Sequence, residues 1–306
     1  LKLGVGSKYP PFDGIPELKE QISLFVKNFL DISIGHESCF PTVGSMQGCY
    51  MAMMVCSRRL KKKNKVFFID PGFPVNKRQA SVIGIPHESF DVYEYRGDKL
   101  GDKLASYLSK GDIGCLMYSN PNNPAWICFT EEELETIGDL ATRYDCIVLE
   151  DLAYFGMDFR KDYSQPGKAP FIPTVGRYTD NYILLISSSK SFSLAGQRIG
   201  MTAIPDRLFN SKGDSLSPWF GSDRFGYAYI FGAMYALSSG VSHTNQWGLT
   251  ALLRAVNSGG YNFVDAVKEY GDRAGIMKRL FTDNGFQIVY DMDNDAPIAD
   301  GFYFTL

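Results

Sequence analysis

A lysine, a run of serines and an arginine stand close together in the segment SSSKSFSLAGQRIG, directly after the apolar run YILLI. Ser187 to Ser189 precede Lys190, and Arg198 follows in the same segment. A lysine is seldom placed at the buried end of a strand unless an amine is needed there. A primary amine can hold an aldehyde, while hydroxyls and a guanidinium can bind a phosphate. The segment therefore predicts an anionic carbonyl compound as a ligand.

Polar residues also follow three other apolar runs that are typical of strands. KVFFI is followed by DPGFP with Phe73, GCLMY by SNPNNP with Asn123, and CIVL by EDLAY with Asp151 and Tyr154. In parallel α/β sheets, ligands bind outside the carboxyl ends of the strands. We therefore expect an aromatic ring, an amide, a carboxylate and a phenol beside Lys190.

The turn TVGS leads into a predicted helix, where the free backbone N–H groups of Ser45 and Met46 form an anion site. One ligand would use all of these groups if it carried a phosphate, a flat ring with a basic nitrogen, and an aldehyde. Pyridoxal phosphate is such a molecule.

The composition argues against several other partners. The 306 residues include 45% hydrophobic and 21% charged side chains with a net charge of −3, so neither nucleic acid nor an anionic membrane is expected. No apolar run reaches the length of a membrane span. Six scattered cysteines and three dispersed histidines predict reduced thiols, a cytoplasmic location and no metal site. The basic run RRLKKKNK over 58–65 is interpreted as a solvated helix end.

Short apolar runs alternate with longer helical patterns, which predicts an α/β fold with a mainly parallel sheet covered by helices on both faces. Predicted strands cover 65–70, 114–119, 146–151, 182–187 and 201–205, and predicted helices cover 46–62, 103–110, 130–144 and about 222–238. Thr130 and Glu133 have the spacing of a capping box at the start of one helix.

The pattern changes near residue 257, after which a helical stretch leads into the strand-like runs QIVY and GFYFTL. We expect a large domain over 1–256 that binds the pyridoxal phosphate, followed by the start of a smaller α+β C-terminal domain over 257–306. Because the chain begins without Met and stops within a predicted strand, both ends are expected to be incomplete.

Most of the chain resembles the class I/II aminotransferases, the aspartate-aminotransferase-like group of fold type I pyridoxal-phosphate enzymes. The segment SSSKSFSLAGQRIG is similar to the family's S-x-S-K…R-x-G pattern, DLAY to its D-x-A-Y pattern, and NNPAW, DPGFP and VGSMQ to further family segments. The resemblance implies an enzyme that moves an amino group between an α-amino acid and a 2-keto acid by a ping-pong mechanism.

The resemblance also implies a role for each matching residue around the cofactor ring. Lys190 would form the Schiff base with the cofactor and carry the proton of the substrate Cα. Asp151 would pair with the ring nitrogen, and Tyr154 and Asn123 would bind the ring oxygen. Phe73 would stack on the ring. Lys190, Tyr154 and Asp151 are thus the expected catalytic residues.

Further matching residues would bind the cofactor phosphate: Ser45, Met46, Ser187, Ser189 and Arg198. Tyr9 corresponds to a tyrosine that reaches the phosphate of the neighbouring subunit, which implies a homodimer with shared active sites. His243 lies in a segment similar to a loop that crosses the dimer, although it is also interpreted as a helix-entry residue.

The sequence departs from the family pattern after the asparagine–proline pair, where Ala125 and Trp126 replace threonine and glycine. An indole at this position would narrow the substrate pocket if it faced the substrate, and the sequence leaves the direction of Trp126 open. The family's arginine for the substrate carboxylate would come from the small domain, beyond Leu306. Two alternative functions stay open at this point: a pyridoxal-phosphate-dependent β-lyase of the same fold, which shares the cofactor residues, and a non-catalytic ligand-sensing domain.

Overall fold

The structure, a computed structural model, describes residues 4–306, and a seven-stranded sheet lies at its centre. The strands are β1 Cys39–Thr42, β2 Lys65–Asp70, β3 His87–Asp91, β4 Ile113–Ser119, β5 Ile147–Leu152, β6 Tyr182–Ser187 and β7 Gly200–Ala203. Their order across the sheet is β1-β7-β6-β5-β4-β2-β3. Neighbouring strands from β3 to β6 are parallel, whereas β7 is antiparallel to both β6 and β1. The predicted mainly parallel sheet is confirmed.

The central strands form because their sequences are almost uninterrupted apolar runs. Every residue of β4, β5 and β6 is buried, as expected for parallel strands covered on both faces. Four of the five predicted strands, over 65–70, 114–119, 146–151 and 182–187, agree with the structure to within a residue at each end, and the fifth, over 201–205, is β7 at 200–203. Strands β1 and β3 were not predicted, because β1 is short and contains a proline and β3 is largely polar.

Helices cover both faces of the sheet, as predicted. Their bounds are α1 Pro16–Leu30, α2 Gly44–Cys56, α3 Pro74–Ile83, α4 Asp98–Leu108, α5 Glu131–Arg143, α6 Asp206–Phe209, α7 Ser217–Phe220, α8 Phe225–Tyr227, α9 Ala236–Ser238, α10 His243–Asn257, α11 Phe263–Val267 and α12 Glu269–Asp283. A π-helix over Ala228–Tyr235 joins α8 to α9. One core packs α1, α4, α5 and α10 on the sheet, and the other packs α2 and the 225–235 helical segment.

None of the helices within residues 4–306 is long and apolar enough to cross a membrane.

Helix α1 was not predicted, although it has clear sequence determinants. Pro16 occupies the first turn, where its missing N–H costs nothing. The buried residues Leu18, Ile22, Phe25 and Phe29 recur at helical spacing and form the face that packs against α10.

The basic run over 58–65 is only partly solvated, so its interpretation as a solvated helix end was wrong. Helix α2 ends at Cys56 instead of 62. The guanidinium of Arg59 is buried and pairs with Asp145 at 2.6 Å, and the amine of Lys63 donates to the carbonyls of Tyr144 and Asp145. These bonds to the end of α5 hold the basic run in a turn.

The C-terminal residues form α11, α12 and a two-strand hairpin, β8 Met292–Asp293 with β9 Ala296–Pro297. The strands predicted at QIVY and GFYFTL are absent from the described residues, where one backbone bond joins Val289 to Thr305. Phe302 and Tyr303 instead pack against Tyr154 of the large sheet region. The division into domains at residues 256 and 257 falls at the end of α10 and stays a prediction.

We predict that Thr130→Ala lowers the free energy of unfolding by about 1 kcal/mol, because it removes an N-cap hydroxyl. The capping box is confirmed in the structure: the Thr130 hydroxyl accepts from the Glu133 N–H at 3.2 Å, and the Glu133 carboxylate accepts from the Thr130 N–H at 3.0 Å. Urea unfolding followed by circular dichroism measures the change. The control is Thr136→Ala in the middle of the same helix, and equal losses in the two variants would contradict the capping role.

Candidate active site

The sheet brings most of the predicted site residues to one edge. Ser119 at the end of β4 lies opposite Asp151 near the end of β5, and Ser187 at the end of β6 lies opposite Gly200 at the start of β7. Gly200 also lies opposite Thr42 at the end of β1. Because β7 is antiparallel, the loop over 188–199 leaves and re-enters the sheet at this same edge. That loop carries both Lys190 and Arg198.

The first turn of α2 lies beside the guanidinium of Arg198. The N-cap residue, Val43, has no side-chain acceptor. The N–H groups of the first turn therefore stay available to donate to a ligand. A Cβ atom placed on Gly44 would lie 2.7 Å from Nη2 of Arg198, and Gly44 has the left-handed φ of 63° that favours glycine. Helix donors and a cation therefore lie next to each other, an arrangement that suits the binding of a phosphate. Ser45 and Met46, both predicted here, belong to this turn.

The serines before Lys190 shape the start of the loop. Oγ of Ser187 accepts from the backbone N–H of Ser189 at 3.1 Å, and the Ser188 hydroxyl donates to the carbonyl of Ile199. The second of these bonds closes the base of the loop. Nζ of Lys190 lies 4.9 Å from the ring centroid of Phe302, a residue from the C-terminal segment that was not predicted to be in the site.

Asp151 is the most unusual group of the site. The residue is only 5% exposed, and its Oδ1 atom has no hydrogen-bond partner within residues 4–306. Burial raises the pKa of Asp151 to about 7, although the N–H of Ala153 acts in the opposite direction. A carboxylate in this position is best stabilised by a ligand that brings a cationic donor.

Tyr154 and Asn123 are in direct contact, as expected if both bind one ligand atom. Nδ2 of Asn123 donates to the Tyr154 hydroxyl at 3.0 Å. Tyr154 is buried, and burial together with the nearby Tyr303 raises the pKa of its hydroxyl. The phenol therefore keeps its proton and can donate it in a hydrogen bond.

Two residues that position these loops, Asn122 and Ser119, were not predicted from the sequence as part of the site. The Asn122 side chain donates to the carbonyl of Pro71 at 2.5 Å, which ties the loop of Phe73 to the loop of Asn123. Oγ of Ser119 accepts from the Asn123 N–H at 3.2 Å. The sequence SNPNNP contained both residues, but only the family pattern distinguished Asn123 from its neighbours.

Three further predicted residues lie outside this cluster or behind it. Tyr9 is 93% exposed. His243 is the first residue of α10, and its Nδ1 atom lies 3.2 Å from the carbonyl oxygen of Lys8. The indole of Trp126 is fully buried and packs edge-on against the ring of Tyr154 with centroids 5.1 Å apart. The indole therefore lies behind Tyr154.

Comparison with known proteins shows the family of the chain. The family model for aminotransferase class I and II matches residues 3–240. The chain belongs to this family. The class I and II aminotransferases are transferases and generally use pyridoxal phosphate.

The similar aminotransferases of known sequence carry several names. An aspartate aminotransferase of Pyrococcus horikoshii is 28% identical over 65% of this chain and 49% of its own length. The glutamate-pyruvate aminotransferase of Escherichia coli is 29% identical over 63% and 45%, and an aromatic-amino-acid aminotransferase of Thermococcus litoralis is 28% identical over 65% and 49%. The chain thus spans about half the length of these relatives.

Solved aminotransferase structures share the fold. An aspartate aminotransferase of Thermus thermophilus superposes with a TM-score of 0.71 at 18% identity, over 92% of this chain and 66% of the other. The aspartate aminotransferase of Thermotoga maritima superposes with a TM-score of 0.72 at 16% identity, over 96% of this chain and 68% of the other. These similarities support the α/β sheet with helices on both faces.

The residues present fit pyridoxal phosphate on three observations of this chain. Asp151 has a buried oxygen without a partner within the described range, which suits a protonated ring nitrogen. The first turn of α2 and Arg198 suit the phosphate. Lys190 lies in the loop that starts where β6 ends, with its amine against an aromatic ring.

We predict that Asp151→Asn stabilises the cofactor-free protein at about pH 8, by on the order of 2–4 kcal/mol relative to the parent, but has less effect as the pH falls. The pKa is raised from 3.8 to about 7, so between these values the folded protein holds a proton that the unfolded chain has released. This carboxyl therefore lowers the free energy of unfolding as the pH rises through that window, and the asparagine removes the effect.

Urea unfolding across the pH range provides the measurement. The matched control is Asp139→Asn, an exposed position on α5. A stability difference between the Asp151 variant and the parent that does not change with pH would rule out this assignment.

Proposed function

We propose that this chain transfers an amino group between an α-amino acid and a 2-keto acid, with pyridoxal phosphate as cofactor, in a ping-pong reaction. The observation that carries the proposal is the joint position of Lys190 and Asp151 at one sheet edge, with a buried carboxylate oxygen that has no partner in residues 4–306. Membership of the aminotransferase family supports it.

The chemistry divides between the cofactor and the protein. Pyridoxal phosphate, when bound, supplies an aldehyde for the amino group and a ring that withdraws electrons. Asp151 keeps a proton at the ring nitrogen, because a buried carboxylate is stabilised by a cationic partner. Tyr154 and Asn123 donate hydrogen bonds toward the ring oxygen.

Lys190 acts as the general base and acid of the reaction. Its amine removes the proton from the substrate Cα and returns a proton at the end of the half-reaction. The serine-rich start of the 188–199 loop holds the lysine in place through the bonds of Ser187 and Ser188. The amine carries this proton only if it stays within reach of the Cα atom, which a fixed loop ensures.

Arg198 and the first turn of α2 anchor the cofactor. A guanidinium can bind a phosphate through two parallel N–H···O bonds, which a lysine cannot reproduce. The N–H groups of Ser45 and Met46 add the positive end of the helix dipole. Ser187 and Ser189 are proposed as further phosphate ligands, and Phe73 as the ring that stacks on the cofactor.

We predict that Lys190→Ala abolishes amino transfer and removes the visible absorption band of protein-bound pyridoxal phosphate, because the variant lacks the amine proposed to hold the cofactor aldehyde. Absorption spectra of the purified variant check this, with Lys168→Ala, an exposed lysine, as the control. An unchanged spectrum in the Lys190 variant would contradict the assignment.

The parent protein loaded with pyridoxal phosphate separates the alternative functions. Amino acids that convert the bound aldehyde form to the amine form indicate an aminotransferase. Release of ammonia and a keto acid without the amine form indicates a β-lyase, and binding without turnover indicates a sensor.

We also propose a cytoplasmic homodimer with shared active sites. The six cysteines are free and buried, which suits a reducing compartment. Tyr227, Phe231 and Tyr235 are between 44% and 53% exposed and form an aromatic patch with Phe12, whose ring lies 4.8 Å from that of Phe231. Exposed apolar patches of this kind mark interfaces.

The patch lies close to the proposed phosphate site. The Gln47 side chain in the first turns of α2 donates to the hydroxyl of Ser238 at 2.6 Å, just after the aromatic patch. Tyr9 precedes Phe12 and is fully available to a second subunit. A second copy on this patch would bring its own Tyr9 near the start of α2.

We predict that Phe231→Asp converts the dimer to a monomer, because it places a charge in an apolar interface. Light scattering of the purified protein gives the mass. Val82→Asp, at an apolar side chain that is 69% exposed outside the patch, is the control. A parent chain that is monomeric, or a variant that stays dimeric, would contradict the interface.

A further inference from the structure

A row of packed aromatic rings runs from the buried Trp126 to Phe302, which lies against the amine of Lys190. The ring of Trp126 packs on Tyr154 at 5.1 Å, Tyr154 on Phe302 at 5.7 Å, and Phe302 on Tyr270 at 4.7 Å between centroids. The Lys190 amine lies 4.9 Å from the centre of the Phe302 ring, so Phe302 is the aromatic residue in contact with the reacting group.

The position of Phe302 is fixed by the residue before it. A Cβ atom on Gly301 would lie 1.8 Å from Cε2 of Trp126, so only glycine lets the backbone pass this close to the indole. Trp126 is fully buried and has a φ of 63°, a conformation in which the family's glycine is easier to place than tryptophan. The close packing of Trp126 and Gly301 therefore holds the Phe302 ring against Lys190.

Two guanidinium groups that bind this C-terminal segment are already paired. Asp293 binds Arg96 at 2.8 Å and Arg160 at 3.0 Å. Arg96 is also paired with Glu133, and Arg160 with Asp158. Neither guanidinium is free to pair with a carboxylate on a substrate side chain.

We propose that the amino donor carries an aromatic or large apolar side chain, which packs against Phe302. The inference rests on the proposed aminotransferase function. The amino group of the substrate must reach the position that the Lys190 amine occupies, so the substrate Cα and its side chain lie within a few ångströms of the Phe302 ring. An aromatic side chain gains stacking contacts there, whereas an acidic side chain would lose hydration against the apolar ring.

The test uses two carboxylic acids that lack an amino group and therefore bind without reacting. 3-Phenylpropionate represents an aromatic donor and maleate an acidic donor. Isothermal titration calorimetry of the full chain loaded with pyridoxal phosphate measures both affinities. We expect 3-phenylpropionate to bind at least about tenfold more tightly than maleate.

Phe302→Ala should lower the affinity for 3-phenylpropionate at least about tenfold and leave the affinity for maleate unchanged. Phe302→Leu, which keeps an apolar side chain, should retain part of the affinity and serves if the alanine variant does not fold. Phe286→Ala, at an exposed phenylalanine outside the row of rings, is the matched control and should change neither affinity.

The inference is overturned if maleate binds as tightly as 3-phenylpropionate, if neither acid binds, or if both Phe302 variants bind like the parent. The visible absorption band of the bound cofactor, recorded in the same samples, distinguishes this failure from failure of the proposed function. Without that band the proposed function itself is wrong, whereas a normal band with the opposite ligand preference rejects only the substrate class.

Discussion

Burial of the Asp151 carboxylate is the constraint on which the rest of the site depends. The residue lies in β5, between β4 and β6 in a sheet covered on both faces, so neither water nor an opposite charge reaches its free oxygen within the described part of the chain. The unfavourable burial is maintained by the favourable packing of the two cores, and a ligand with a cationic donor would relieve it.

The central strands and much of the candidate site could be predicted from the sequence for the same physical reason. Apolar runs such as YILLIS mark buried parallel strands, and a polar residue that follows such a run must lie at the sheet edge. Lys190 and Asp151 were found in this way. The contact between Asn123 and Tyr154 was expected from the family resemblance and is present in the structure.

Other features depend on contacts that no local pattern contains. Phe302 meets Lys190 although more than a hundred residues separate them, and GFYFTL was interpreted as a strand because its alternating apolar residues fit one. Its rings pack on Tyr154 and Tyr270 instead of pairing in a sheet. Likewise, Arg59 was assigned to a solvated run because nothing in its local sequence shows the pairing with Asp145, which is distant in sequence and buries the guanidinium. The positions of both Phe302 and Arg59 are therefore determined by contacts with residues that are distant in sequence.

The antiparallel orientation of β7 has a consequence for how this site can change. Since Ser187 and Gly200 are paired directly, the intervening residues form a closed loop whose two ends are fixed to neighbouring strands. The amine and the guanidinium are both carried by this loop, so an insertion or deletion within it would shift one relative to the other. Variation in substrate choice is therefore easier to accommodate in the C-terminal segment around Phe302, where a side chain can be exchanged without altering the spacing between the groups proposed to hold the two ends of the cofactor.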